Sequence, residues 1–243
     1  MSPCHPPRAD AATPSAVALF APTAGLLADI ATAGTGWLAP HERARVESFC
    51  VERARQGYLA AHWLVRQAAG RLLSMPAAEL RLAQRCPQCG GEHGPPRIVG
   101  QEQIHVSLSH ADHLVAAAAA FVPVAVDVEE WHKLHLPELL RGRVFSTDER
   151  RWLAQLPESE RNRAATRIWA HKECRVKLAR LSLDHFEHCN LEAELAALPL
   201  EDGIQHGVHS DGCRFTQWCS LEHAATGVVA TIGGSRVALG ALP

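Results

Sequence analysis

Asp127 and Glu129 stand two residues apart in the stretch Val124-Ala125-Val126-Asp127-Val128-Glu129. The alternation fits a strand, where successive side chains point to opposite faces. Val124, Val126 and Val128 then line one face, and Ala125, Asp127 and Glu129 line the other. Two carboxylates on one sheet face repel each other unless something positive lies between them. The hexapeptide therefore either holds a divalent cation or runs out into a solvated acidic turn, since Glu130 comes next.

A second stretch that can carry chemistry is Trp169-Ala170-His171-Lys172-Glu173-Cys174-Arg175-Val176-Lys177. Helical spacing puts Trp169, Glu173, Lys177 and Arg180 on one face. A Glu–Lys pair on an exposed face contributes only about 0.2–0.5 kcal/mol. The Trp instead implies partial burial, where both charges need further partners. If this helix packs beside the Asp127 strand, Glu173 becomes a third oxygen ligand. Such a set suits Mg²⁺, which takes few protein carboxylates and completes its octahedron with water and phosphate oxygens. Ser109 and His110 close the strand Ser107-Leu108-Ser109-His110-Ala111, where hydroxyl, imidazole and backbone N–H groups can bind phosphate, or simply form a turn. A serine-hydrolase reading of Ser107 or Ser109 lacks the G-x-S-x-G elbow.

Cys86-x-x-Cys89 with His93 resembles half of a zinc site, for which Cys4, Cys50, Cys189, Cys213 or Cys219 could supply a fourth ligand, though none sits in a second clean pair. No Walker P-loop or G-x-G-x-x-G occurs. One Tyr and six Phe are too few for a base-stacking surface, so nucleic acid is not an expected partner.

The elements that must position these residues can be read along the chain. Residues 1–14 are rich in Pro and Ala and read as a loose tail. Residues 40–74 read as helix, with Tyr58, Leu59, His62, Trp63, Arg66 and Leu73 recurring on one side. Residues 80–100 read as loop. Short strands are expected at 104–108, 115–122 and 124–128, then helix over 134–180, broken around Pro157. Ser146 or Thr147 caps that region, with Glu149 in capping-box spacing from Ser146. Residues 213–232 alternate again. An internal similarity aligns Ser107-Leu108-Ser109-His110 with Ser220-Leu221-Glu222-His223 at an offset of 113.

A chain of 243 residues with 47% hydrophobic and 21% charged residues can build one large domain or two smaller ones. The net charge of -2 gives no bulk affinity for nucleic acid. Residues 131–180 hold twelve Lys or Arg against six Asp or Glu, and such a basic segment suits an anionic small molecule or an acidic protein. No apolar run reaches the length of a membrane span, and no secretory signal opens the chain, so reduced cysteines and a cytoplasmic location are expected.

In this order, the Ser107–His110 stretch, Val126-Asp127-Val128-Glu129, Phe145-Ser146-Thr147-Asp148-Glu149 and the Trp169–Lys177 stretch resemble the 4′-phosphopantetheinyl transferases, in their larger, monomeric (Sfp-like) class. The resemblance implies an α+β fold built as a pseudo-twofold pair of similar α+β halves, at residues 15–123 and 124–243, with the metal site on the second. It implies Mg²⁺-dependent transfer of the phosphopantetheine arm of coenzyme A to a serine of an acyl or peptidyl carrier protein. Asp127, Glu129 and Glu173 match the metal positions, and Glu173 and Lys177 the catalytic ones. Arg55, Arg66, Ser109, His110 and Lys172 match coenzyme-binding positions. Three departures accompany the match. Gly94-Pro95-Pro96 lacks the lysine of the family's G-K-P, leaving Arg97 as the nearby cation. His62 stands where an Arg is common, and Leu178-Ala179-Arg180 replaces glycines. The alternatives are a weakened homologue or a zinc-stabilised module that binds coenzyme A or a carrier protein without transfer.

Overall fold

The alanine run at 116–120 is a strand because it is covered on both faces, leaving room only for small side chains. The computed structural model describes residues 15–86, 88–92, 94–132, 142–233 and 237–239. In chain order its elements are Ala16–Pro22 (β1), Thr23–Ala33 (α1), Pro40–Glu47 (α2), Glu52–Leu73 (α3), Leu82–Gln84 (β2), Pro96–Ile98 (β3), His105–His110 (β4), Leu114–Ala120 (β5) and Val124–Glu130 (β6). Then follow Thr147–Gln155 (α4), Glu158–Lys177 (α5), Glu192–Ala196 (α6), Gly203–Val208 (β7), Cys213–Ser220 (β8), Ala225–Ile232 (β9) and Ala238–Leu239 (β10).

Two four-stranded sheets form, in the orders β10-β1-β5-β4 and β6-β9-β8-β7, beside a small β2–β3 pair. On the first sheet, Val17, Leu19 and Ala21 of β1 and Val115, Ala117 and Ala119 of β5 pack against Leu26 and Ile30 of α1 and Leu64, Val65 and Ala68 of α3. The alternate residues Ala16, Ala18, Phe20, Ala116, Ala118 and Ala120 turn to the other sheet, where Val124, Val126, Val128, Ala225 and Val229 meet them. Beyond that sheet, Ala125, Val228 and Ala230 pack on Ala170 and Cys174 of α5. The layers therefore run helix, sheet, sheet, helix, an α+β architecture.

Gly227 of β9 permits the sheets to approach. A Cβ there would lie 2.2 Å from the Phe20 ring, and Phe20 itself stacks on Trp218 at 5.7 Å between centroids. The two halves repeat a connection: β1, helix α3, then the β4–β5 hairpin, and β6, helix α5, then the β8–β9 hairpin. In each, the first strand pairs antiparallel with the last. The registers of the two hairpins do not follow the 113-residue offset of the sequence similarity, since Ser107 lies opposite Ala118 whereas Ser220 lies opposite Ala225. Strand β10, from the end of the chain, returns to pair in parallel with β1 in the first sheet.

The helix expected over 40–74 is two helices, with residues 48–51 between them. Strands β1 and β7 and helix α1 add to the elements expected from the sequence, and 80–100 contains the β2–β3 pair. Ser146 caps α4, accepting from Glu149 N at 3.2 Å while Glu149 Oε2 accepts from Ser146 N at 2.8 Å. Residues 1–14, His93 and the stretch 133–141 lie outside the described residues. No described helix is long and apolar enough to cross a membrane.

Candidate active site

Helix α5 crosses the β6 face that carries Ala125 and Asp127, since its small residues Ala170 and Cys174 allow close packing there. This sets Lys177, in the last turn of α5, beside Asp127. Lys177 Nζ donates to Asp127 Oδ1 and to the Val126 carbonyl, each at 2.8 Å. From the opposite side, at the edge of the first sheet, Ser109 Oγ donates to the same Asp127 Oδ1 at 2.8 Å. Ser107 Oγ accepts from Val126 N at 3.0 Å. The site thus lies where edge strands β4 and β6 meet.

Asp127 is 3% exposed, and its Oδ2 is buried without a hydrogen-bond partner. A buried carboxylate oxygen left unpaired needs a cation or a donor. Glu129 Oε1 accepts from Trp169 Nε1 at 3.1 Å, so that Trp on the α5 face does reach the second carboxylate. Burial first, then the Asp127 charge, pushes the Glu129 carboxyl up to about 8. Glu173 is raised as well, by burial and then by Asp127. Burial depresses the Lys177 ammonium, but Asp127 and its neighbours outweigh this and hold it above its ordinary value. Two carboxyls raised by burial and by a neighbouring charge, beside Asp127 with its orphaned oxygen, fit a divalent cation on the second sheet's side. Their ligand atoms are nonetheless less gathered than a closed metal cage. Among the described residues, the group whose ligand atoms all lie within 4.8 Å of one another is Asp112, Glu130 and His132.

Two residues matched to coenzyme-binding positions lie inside the protein instead. Arg66 is 0% exposed: its guanidinium donates to both Glu42 oxygens at 2.9 and 2.6 Å, and to the carbonyls of Leu80 and His62. His62, in place of the commoner Arg, joins this knot through Nδ1 at 2.6 Å from Glu42 Oε1. Lys172 is also 0% exposed, and its ammonium is consumed by Glu149 Oε2 at 2.7 Å and by the Val144 and Phe186 carbonyls at 2.8 Å. Both side chains are structural anchors with no surface for a ligand. Helical periodicity had placed them on a face but could not give their depth.

Arg55 remains on the surface, its side chain 38% exposed and paired with Glu52 through bonds of 2.7 and 2.6 Å. His110 is exposed at the end of β4, near Gly57 of α3. Arg97 is exposed on β3. Arg180 falls beyond α5, because Ala179 adopts a left-handed φ of 56° and ends the helix, with Arg180 N reaching Arg175 O at 2.8 Å. The helix stop that glycines would make is made here by an alanine under backbone strain.

Cys86 and Cys89 sit in a tight turn closed by Gly90 N to Cys86 O and Gly91 N to Cys89 Sγ, at 2.9 and 3.4 Å. Backbone N–H groups of Cys89 and then Gln88 lower the Cys86 thiol. Among the described residues these thiols belong to no group of three ligands. Sequence reasoning missed Glu130, which is 2% exposed rather than part of a solvated turn, because a strand pattern does not reveal which carboxylate the neighbouring β4–β5 turn will cover. No curated protein matches the chain. The segment that carries β6, α5 and the Asp127–Lys177 pair, residues 123–230, matches the family model ACPS, the 4′-phosphopantetheinyl transferase superfamily.

Proposed function

We propose that the protein transfers the 4′-phosphopantetheine arm of coenzyme A to a serine of an acyl or peptidyl carrier protein, releasing adenosine 3′,5′-bisphosphate. The observation that carries this reading is the buried Asp127 held between Ser109 and Lys177, within the segment matched by the superfamily. Asp127, Glu129 and Glu173 would hold Mg²⁺, which supplies neutralisation of the charge that develops on the pyrophosphate oxygens. Glu173, raised by burial, is poised to take the proton of the attacking serine. Lys177, charged and only 28% exposed in its side chain, neutralises or protonates the departing bisphosphate. Arg55 and His110 lie on the surface, where they can meet the anionic coenzyme, whereas Ser109 acts by orienting Asp127. The matching connections of the two halves support a pseudo-twofold pair, and we infer a cytoplasmic, monomeric enzyme.

The decisive experiment incubates the protein with an apo carrier protein, coenzyme A and Mg²⁺ and weighs the carrier. A gain of one phosphopantetheine is expected, and it should vanish for Asp127→Asn and Glu173→Gln while both variants keep the parent's circular dichroism. No mass gain with the parent, across carriers of fatty acid, polyketide and peptide synthesis, would leave only a binding role.

A further inference from the structure

We propose that Asp112, Glu130 and His132 bind a second divalent ion, of the Zn²⁺ or Co²⁺ type, at a site separate from Asp127, Glu129 and Glu173. The three come from two parts of the fold: Asp112 from the β4–β5 turn, Glu130 from the last position of β6, and His132 just after it. One ligand atom from each lies within 4.8 Å of the other two.

Glu130 supplies the independent sign of a missing ligand. Its side chain is 2% exposed, and Oε1 accepts from His113 N at 2.7 Å, which fixes the carboxylate. Oε2 is buried and has no hydrogen-bond partner among the described residues. His132 Nε2 lies 3.4 Å from that oxygen without hydrogen-bonding geometry. Two ligands on one tetrahedral ion, with bonds of about 2.0–2.1 Å, sit about 3.3 Å apart. The separation is therefore that of co-ligands rather than of donor and acceptor. Asp112 is steadied at the rim by Arg53, whose Nη1 donates to Oδ2 at 3.2 Å.

Ligand chemistry separates the two sites. One imidazole nitrogen with two carboxylates favours a borderline transition ion, whereas the all-oxygen set around Asp127 favours Mg²⁺. His132 is 61% exposed in its side chain, so the ion would enter from solvent and keep positions open for water or an anionic group. Bound there, it would tie the β4–β5 turn, which follows His110, to the end of β6.

The test counts metal on the full chain carrying Cys86→Ser and Cys89→Ser, so that thiols do not contribute, with Mg²⁺ in excess. One equivalent of Zn²⁺ is expected. Co²⁺ should give a visible spectrum of nitrogen and oxygen ligation without thiolate bands. Losing an outer-shell partner of a metal site costs about 10–100-fold in affinity. Losing a direct ligand by His132→Ala should therefore weaken Zn²⁺ by about 100-fold or more and erase the Co²⁺ spectrum. His132 is exposed, so this variant keeps its fold, which Glu130→Gln need not. Absence of the equivalent, equal binding by His132→Ala, or loss of the equivalent in Asp127→Asn would each overturn the proposal. The readout is metal bound rather than transfer, so its failure is distinct from failure of the proposed transferase activity.

Discussion

Lys177 bonds Asp127 and a main-chain carbonyl at once, which fixes its ammonium at the mouth of the site. Lys177→Ala should lower the single-turnover transfer rate by about 10²–10⁴-fold, as removal of positioned acid–base help does. Coenzyme affinity, measured by titration calorimetry, should change much less; an equal loss in affinity would mean that the lysine binds rather than assists departure. The packing of the Lys177 helix beside the Asp127 strand was legible in the sequence because both stretches have one dominant period. Arg66 and Lys172 were legible as motif positions but not in their role. Periodicity assigns a side of a helix, and only packing decides whether that side ends in water or in a buried carboxylate.

At the scale of elements, buried ion pairs hold each long helix in register with its neighbours. Lys172 of α5 meets Glu149 of α4, and Glu149 also accepts from Leu191 N at 2.9 Å, joining three segments. Lys172→Met leaves that carboxylate buried and unpaired, an expected loss of about 3–5 kcal/mol in unfolding free energy by denaturant titration. Transfer per folded molecule should stay near the parent's; a selective loss of coenzyme affinity would restore Lys172 as a ligand.

The other long helix, α3, is tied to α2 through Glu42, whose carboxyl is lowered to about 2: burial opposes this, but the hydrogen bonds from His62 and Arg66 outweigh it. Because its folded value is depressed, the unfolded state binds the proton more readily. Its stabilisation is present above the ordinary carboxylate value of 4.5 and is lost as pH falls toward about 2. Thermal melts should show Glu42→Gln already destabilised near neutral pH and less sensitive to acid over that window than the parent. The start of α4 and the break before α5 were legible from Ser146, Glu149 and Pro157, since caps and proline act locally. Strand β7 was not, because Gly203-Ile204-Gln205-His206-Gly207-Val208 is an edge strand whose side chains are mostly accessible on both faces.

For the whole molecule, the α+β class followed from strands and helices readable in segments, but the layer order did not. Strands covered on both faces lose the polar alternation that would reveal their orientation, as the alanines of β5 do. The separation of the sheets depends on Gly227 meeting Phe20. Gly227→Ala should cost about 1–3 kcal/mol by overpacking, measured by denaturant titration, and Phe20→Leu in the same chain should recover part of it. The basic stretch 131–180 also changes meaning at this scale. Arg167, Lys172 and Arg175 are buried, so part of its positive charge anchors backbone carbonyls and acids rather than facing a partner.

Strands β4 and β6 are terminal strands of different sheets, and they meet through serine hydroxyls rather than a backbone ladder. Unpaired strand edges are templates on which other chains can add. Ser107 occupies the Val126 N–H that such a stranger would seek, and Ser109 turns the neighbouring carboxylate toward the same junction. One pair of hydroxyl groups therefore both orients the Asp127 carboxylate and occupies an N–H on the open edge of β6.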